Sequence, residues 1–267
     1  MSNSSIIVVK IGGSTLGRHD TTLEDLVALQ REGWRPLVVH GGGAAISEWL
    51  NERNAPTRFE RGLRVTDAQS LRVVVAVLAG IINKELVAAI DALGGRAMGL
   101  SGADGGLLRV RQLDPGLGYV GRIERVDSDL CTGLLEQGYL PVVAPLGLLA
   151  EGEPALESRI LNINADTVAG ALAAALEARK VIFLTDVEGV LADAGDPTSL
   201  ISECQLADVE RMIADSSAGS GMIPKLGAVA HALRGGVAAA HVVDGRVAHS
   251  VLIELFTELG IGTKVVP

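Results

Sequence analysis

The chain has 267 residues, 48% hydrophobic and 21% charged, with 33 glycines and only 3% aromatics. That apolar content excludes a disordered chain and is enough for a sizeable core, built from Val, Ile, Leu and Ala. A formal net charge of −9 argues against a nucleic-acid-binding surface, so an anionic ligand needs a local positive site.

Ile6–Ile11 is an apolar run ending in Gly12-Gly13, the pattern of a buried strand entering a glycine turn. Thr21 and Glu24 have capping-box spacing before a helix to about Gln30. Pro36–Val39 reads as a second buried strand, running into His40-Gly41-Gly42-Gly43 and a helix over Ala44–Glu52. Thr66 and Gln69 have the same capping spacing at the head of a long helix, Asp67–Leu93. Its middle, Leu71–Ile82, is apolar nearly all round, which demands cover on every side. Either the monomer core or a subunit interface supplies that cover, and the interface is the favoured expectation.

Arg96–Leu100 predicts a third strand. Leu107–Leu113 and Gly118–Val126 flank Asp114-Pro115-Gly116 as the arms of a hairpin. A helix over Ser128–Gln137 leads to a strand at Pro141–Ala144, and a second hairpin is expected around Glu151–Pro154. Asn164 or Asp166 caps an Ala-rich helix that ends near Glu177. Val181–Leu184 is a further strand, followed by the loop Thr185–Gly189. Residues 192–220 are more polar and hold the loop Asp215–Gly221. A helix runs from Pro224 to Arg234, and Ala239–Val243 and Lys264–Val266 close the strands. Apolar strands alternating with helices predict an α/β fold with a mainly parallel sheet covered on both faces.

Cys131 and Cys204 stand far apart, which speaks against a disulfide framework or a zinc site and for two buried thiols. The N-terminus lacks a basic region followed by a long apolar segment, and Val73–Ile82 is too short to span a bilayer. The expectation is a cytoplasmic protein with neither a membrane nor a nucleic-acid partner.

The P-loop, HExxH and GxSxG are missing from the sequence, and no GxGxxG follows a strand as a dinucleotide site requires. What remains is a set of polar and glycine loops at the carboxyl ends of strands, the edge where open parallel sheets bind ligands. Lys10 lies in the last turn of a buried strand, a costly position unless an anion pairs with it. Gly41–Gly43 expose backbone amides at a helix start, an anion cradle or else an ordinary turn. His40 is a base or, more simply, a support for that loop. Lys225 follows a flexible Gly219–Pro224 segment and either closes on a phosphate or stays on the surface. Arg64 either grips a carboxylate with two N–H groups or forms a surface salt bridge. Asn162, Asn164 and Asp166 cluster beside a helix start, where capping explains one of them and leaves the others free.

Taken in order, Lys10–Gly13, His40–Gly43, Gly62–Thr66, Asn162–Asp166, Leu184–Gly189 and Gly221–Lys225 resemble the amino acid kinase family over essentially the whole chain. The resemblance is greatest to its acetylglutamate branch. It implies a three-layer αβα sandwich, with residues 1–178 forming an N-terminal lobe for the amino-acid substrate and dimerisation, and residues 179–267 a C-terminal lobe for ATP. It further implies that Lys10 and Lys225 stabilise the phosphoryl group in flight, while Asp166 orients both. Gly13, Gly41 and Gly42 would donate backbone hydrogen bonds, and Arg64 would hold the substrate α-carboxylate. Asn162 would lie near the α-substituent, and Asn164 would belong to the same substrate site. Gly12, Gly13, Asp186, Val187, Gly189, Val190, Leu191, Ser217, Gly219 and Gly221 would surround the nucleotide.

The implied reaction transfers phosphate from ATP to the side-chain carboxylate of N-acetyl-L-glutamate, a step of arginine biosynthesis, with Mg²⁺ held mainly by the phosphates and no protein metal site. The alternatives are a kinase for carrier-bound or acetylated aminoadipate, and a non-catalytic amino-acid or nucleotide sensor. Arginine-inhibited members carry an N-terminal helix that joins dimers into hexamers. Five residues precede the first strand here, so the expectation is a homodimer through the Asp67–Leu93 helix without arginine inhibition. Whether a regulatory protein also docks on the chain is left open by the sequence.

Overall fold

The structure is a computed structural model and describes residues 5–12, 21–153, 156–193, 195–196, 198–215, 221–257 and 260–267. In chain order its elements are β1 (Ile6–Ile11), α1 (Thr22–Arg31), β2 (Arg35–His40), α2 (Gly43–Glu52), β3 (Phe59–Glu60), β4 (Leu63–Arg64), α3 (Ala68–Val75), a π-helical stretch (Ala76–Ile82) and α4 (Asn83–Ala92). There follow β5 (Ala97–Ser101), β6 (Leu108–Gln112), β7 (Gly121–Val126), α5 (Asp129–Glu136), β8 (Leu140–Ala144), β9 (Leu146–Leu149), β10 (Ile160–Asn162) and α6 (Ala165–Ala175). The last group is β11 (Lys180–Thr185), β12 (Glu203–Gln205), α7 (Leu206–Ala214), α8 (Ile223–Arg234), β13 (Ala239–Asp244), α9 (Ser250–Phe256) and β14 (Thr263–Val266).

Among the described residues the main sheet runs β12-β14-β13-β11-β1-β2-β8-β5 and is parallel except where β14 meets β13. Successive side chains of a strand face opposite sides. Ile6 and Val8 pack with Leu172 of α6 and Val229 of α8, whereas Ile7, Val9 and Ile11 pack with Leu26 of α1 and Leu86 of α4. These are the three layers expected. Lys10 shares parity with Ile6 and Val8, so it leaves the strand on the side covered by α6 and α8.

A second sheet, β10-β9-β6-β7, contains both expected hairpins. At the β6–β7 turn the Asp114 carboxylate accepts from the Gly116 amide at 2.8 Å. The expected boundary between residues 178 and 179 falls just before β11, which pairs with β1 from Ile7↔Lys180 to Lys10↔Phe183, so one sheet is continuous through both halves.

The helix expected at Asp67–Leu93 is continuous over Ala68–Ala92, with one wider π-helical stretch. Its 25 residues, with an 18-residue window of mean hydropathy 2.1, make it long and apolar enough to cross a bilayer, unlike the shorter run of apolar residues seen in the sequence. Here it covers the sheet. Asn83, fully buried, donates to the carbonyls of Leu100 and Val142, and Leu86 and Ile90 enter the core.

Both expected capping boxes are corrected. Asp67, one residue after Thr66, caps the long helix by accepting from Ser70 N, and Thr66 instead donates to the Arg64 carbonyl. Thr21 makes no side-chain cap, because its hydroxyl accepts from the distant amide of His249. Residues 192–220, read as polar, also contain β12 and α7, and neither the β3–β4 hairpin nor α9 was expected.

Candidate active site

Three charged side chains that are remote in sequence meet at the carboxyl edge of β1. Lys10 Nζ lies 3.0 Å from Asp166 Oδ1, and Lys225 Nζ lies 3.1 Å from the same oxygen. Their side chains are 12% (Lys10), 13% (Asp166) and 8% (Lys225) exposed. The helix packing explains the meeting. Gly170 has no side chain where α6 crosses α8, and a Cβ there would fall 2.5 Å from the Ala228 carbonyl oxygen. Asp166 is one turn before Gly170 and Lys225 about one turn before Ala228, so this close contact carries both groups to the end of Lys10's strand.

Burial alone would raise the Asp166 carboxyl, but the two ammonium groups outweigh it and hold the group below the ordinary carboxylate range. Lys225 moves the other way. Burial lowers its ammonium pKa, Asp166 opposes the fall, and Lys10 adds to it. The ring of Phe183 lies 5.7 Å from Lys225 Nζ and gives the cation an aromatic face in place of water. Of the two candidate caps of α6, Asn164 is the one used: its Oδ1 accepts from Thr167 N at 3.0 Å, which leaves Asp166 to the lysines.

Beside this trio opens a cleft of about 170 Å³, walled by Gly41–Gly43, Phe59, Arg64, Leu78, Asn162 and Asn164 among others. Arg64 is buried rather than on the surface. Its Nη2 donates to the Gly43 carbonyl and to Ser47 Oγ, both at 2.8 Å, and its Nη1 is buried without a partner. Asn162 Nδ2 donates to Thr66 Oγ1 at 3.4 Å, next to Arg64. The π-helical stretch brings Leu78 and Ile82 against Gly42, where a Cβ would lie 2.7 and 2.5 Å from their methyl carbons. A side chain at Gly42 would therefore collide with the cleft wall.

Several expected roles change. The Gly41 amide is spent on the Ile11 carbonyl at 2.9 Å, so the donors of this loop begin at the unpaired first-turn amides of α2. His40 is fully buried, its Nδ1 beside the Gly41 carbonyl and its Nε2 3.2 Å from Asn83 Nδ2. Burial drops its pKa to about 4, so it is a neutral support of the glycine loop. Asp186 and Val187 are exposed past the end of β11. Val190 faces the core, its N–H donates to Thr263 Oγ1 and its carbonyl accepts from Ile201, so it fixes the loop shape and offers no free group. Gly12 is buried at the end of β1, Gly189 packs on Thr263, and Leu191 is half-buried and bridges to Leu200. Gly221 is exposed just before α8. Gly13, Ser217 and Gly219 lie outside the described residues. Ser47 and Phe59 were missed, because nothing near them in sequence marks them as neighbours of Arg64.

Paired ammonium groups on one carboxylate, at the ligand-binding edge of a parallel sheet, suit a phosphoryl group in transfer. The class is a phosphotransferase. Residues 5–244 match the amino acid kinase family, and the chain belongs to it. The acetylglutamate kinase of Moorella thermoacetica is 44% identical over 275 residues, spanning 98% of this chain and 91% of that protein. That of a Synechococcus strain is 46% identical over 264 residues, spanning 97% and 88%. An N-acetylglutamate synthase structure from Neisseria gonorrhoeae, complexed with coenzyme A and N-acetyl-glutamate, superposes with a TM-score of 0.83 at 25% identity, over 98% of this chain and 59% of that one. Carbamate kinase from Giardia lamblia bound to AMP-PNP shares the fold, with a TM-score of 0.73 at 15% identity over 100% and 99% of the two chains.

Proposed function

We propose that the protein phosphorylates the side-chain carboxylate of N-acetyl-L-glutamate with ATP, as a step of arginine biosynthesis. The observation that carries this reading is the sharing of Asp166 Oδ1 by Lys10 and Lys225 beside an arginine-lined cleft. A carboxylate oxygen of the acceptor attacks the γ-phosphorus, the bond to the β-phosphate bridging oxygen breaks, and the electron pair leaves with ADP. The acceptor has an ordinary pKa of about 4.3, so it is ionised near neutrality and needs no base. That agrees with the buried, neutral His40. The barrier lies in bringing anions together, and the two ammonium groups offset it.

In this reading Arg64 Nη1, buried without a partner, takes the α-carboxylate, Asn162 takes the acetamido group, and Asn164 shapes the same wall. The N-terminal lobe, residues 1–178, binds this substrate, and residues 179–267 bind the nucleotide through Asp186, Val187, Gly189, Leu191 and Gly221, with Gly12 of the N-terminal lobe facing it at the end of β1. Among the described residues no cluster of His, Cys, Asp or Glu could hold a metal ion, and Asp166 Oδ1 is shared by the two lysines. These residues fit Mg²⁺ carried on ATP's own phosphate oxygens, where it would neutralise charge. The exposed Arg72, Ala76 and Gly80 on the long helix support a homodimer through that face. A cytoplasmic location goes with the free, buried Cys131 and Cys204.

Trapping acyl phosphate with hydroxylamine tests the proposal. N-acetylglutamate should give the highest kcat/KM among N-acetylglutamate, N-acetylaspartate, N-acetyl-aminoadipate and free glutamate. A preference for the aminoadipate compound would move the assignment to that kinase. Binding of nucleotide without any hydroxamate would make the chain a sensor.

A further inference from the structure

Arg64 is held by a clamp that neither the catalytic trio nor the motifs around it account for. Phe59 and Arg64 are cross-strand partners in the two-residue β3–β4 pairing, and the guanidinium carbon lies 4.6 Å from the centre of the Phe59 ring. The ring is 55% exposed, an unusual cost for a phenylalanine that only fills space. Across the guanidinium, Ser47 Oγ and the Gly43 carbonyl take Nη2, and Ser47 itself donates to the same carbonyl at 3.0 Å. One face is covered by the ring and one amine is spent on α2. The edge carrying Nη1 is left, and that amine has no partner.

We infer that Phe59 and Ser47 are positioning residues that fix the plane of Arg64, so that Nη1 meets the carboxylate next to the acylated amine of the substrate. This rests on the reading that Arg64 holds that carboxylate. The chemistry is selective. A guanidinium pinned by an aromatic face and a hydroxyl loses less freedom when it forms a charge-assisted bond, and the screened ring side keeps the contact dry. The clamp therefore acts on affinity for acceptors that bear an α-carboxylate. It has no role in phosphoryl transfer, because neither side chain reaches the lysine–aspartate trio.

The test measures KM and kcat for N-acetylglutamate, and the inhibition constant of 4-acetamidobutyrate, which lacks the α-carboxylate. Unaltered protein is compared with Phe59→Leu, Phe59→Tyr, Ser47→Ala and Arg64→Lys. Phe59→Leu should raise KM by about two- to thirtyfold, the range of a cation–aromatic contact. Ser47→Ala should raise it about three- to tenfold, with kcat within about twofold in both. Phe59→Tyr, which keeps the ring, should restore KM, and 4-acetamidobutyrate should bind all variants alike. An unchanged KM in Phe59→Leu while Arg64→Lys raises it would overturn the clamp and leave the role of Arg64 standing. An unchanged KM in Arg64→Lys would overturn both. Equal weakening of both ligands in Phe59→Leu would show a general wall instead of a clamp.

Discussion

Replacing Asp166 by Asn removes one negative charge and leaves two positive ones. Lys10 and Lys225 both lie within 3.1 Å of one Asp166 oxygen, so their nitrogens are no more than about 6 Å apart. At that separation and an effective dielectric of about 20, their repulsion is about 3 kcal/mol. In the parent Asp166 offsets that repulsion; without the carboxylate it stands unopposed and adds to the burial that already lowers the Lys225 ammonium pKa. Asp166→Asn should therefore lose activity in a pH-dependent way. At pH 7.5 kcat/KM for ATP should fall at least about a hundredfold, the scale of losing one transition-state donor. As pH drops and Lys225 regains its proton, the variant should recover, with the alkaline limb of its profile displaced to lower pH than that of the unaltered enzyme. ATP should also raise the variant's melting temperature more than the parent's, since phosphate restores the missing negative charge. Initial rates of ADP release from pH 5.5 to 9.5 provide the assay. A profile parallel to the parent's would refute the coupling of these three groups.

Arg64→Lys should raise the KM for N-acetylglutamate by about tenfold or more with kcat nearly kept, because lysine lacks the guanidinium fork; equal kinetics would remove Arg64 from the substrate site. Gly170→Val should push α6 from α8, costing about 1–3 kcal/mol in urea unfolding and lowering kcat, while a stable, fully active variant would show that the close contact is not needed. His40 is held neutral, with a folded pKa of about 4 against an ordinary 6.5. Its contribution to stability is complete above pH 6.5 and is lost as pH falls towards 4, by about 3 kcal/mol in all. Unfolding of the parent between pH 7 and 4 should therefore be steeper than that of His40→Gln by this amount, and identical slopes would contradict the burial argument. Ala76→Glu, on the exposed face of the long helix, should convert a sedimenting dimer to monomer, and a monomeric parent would dismiss that interface.

The sequence made the strands legible wherever they are buried on both faces, because β1, β2, β8, β11 and β13 need apolar side chains at most positions. It also made Lys10 conspicuous, as a charge inside such a strand. The short elements escaped for the opposite reason. β3 and β4 pair over two residues each, and β12 over three, too few to show a period. Caps were misplaced where a side chain had a better tertiary partner, as with Thr21 and His249. The same limit applied at the site. A Gly41 amide spent on Ile11, and a Val190 turned into the core, depend on where distant backbone lies. Residue type and order picked out Arg64, but not Phe59 and Ser47, which meet it only through the hairpin and α2.

The account turns on two ammonium groups acting on the migrating phosphoryl group. Quenched-flow measurement of γ-phosphoryl transfer, at saturating ATP and N-acetylglutamate, addresses that step in Lys10→Met and Lys225→Met. Each substitution keeps chain length and removes charge, so each should slow transfer by about a hundredfold or more. Transfer within about threefold of the parent in either variant would contradict the assignment.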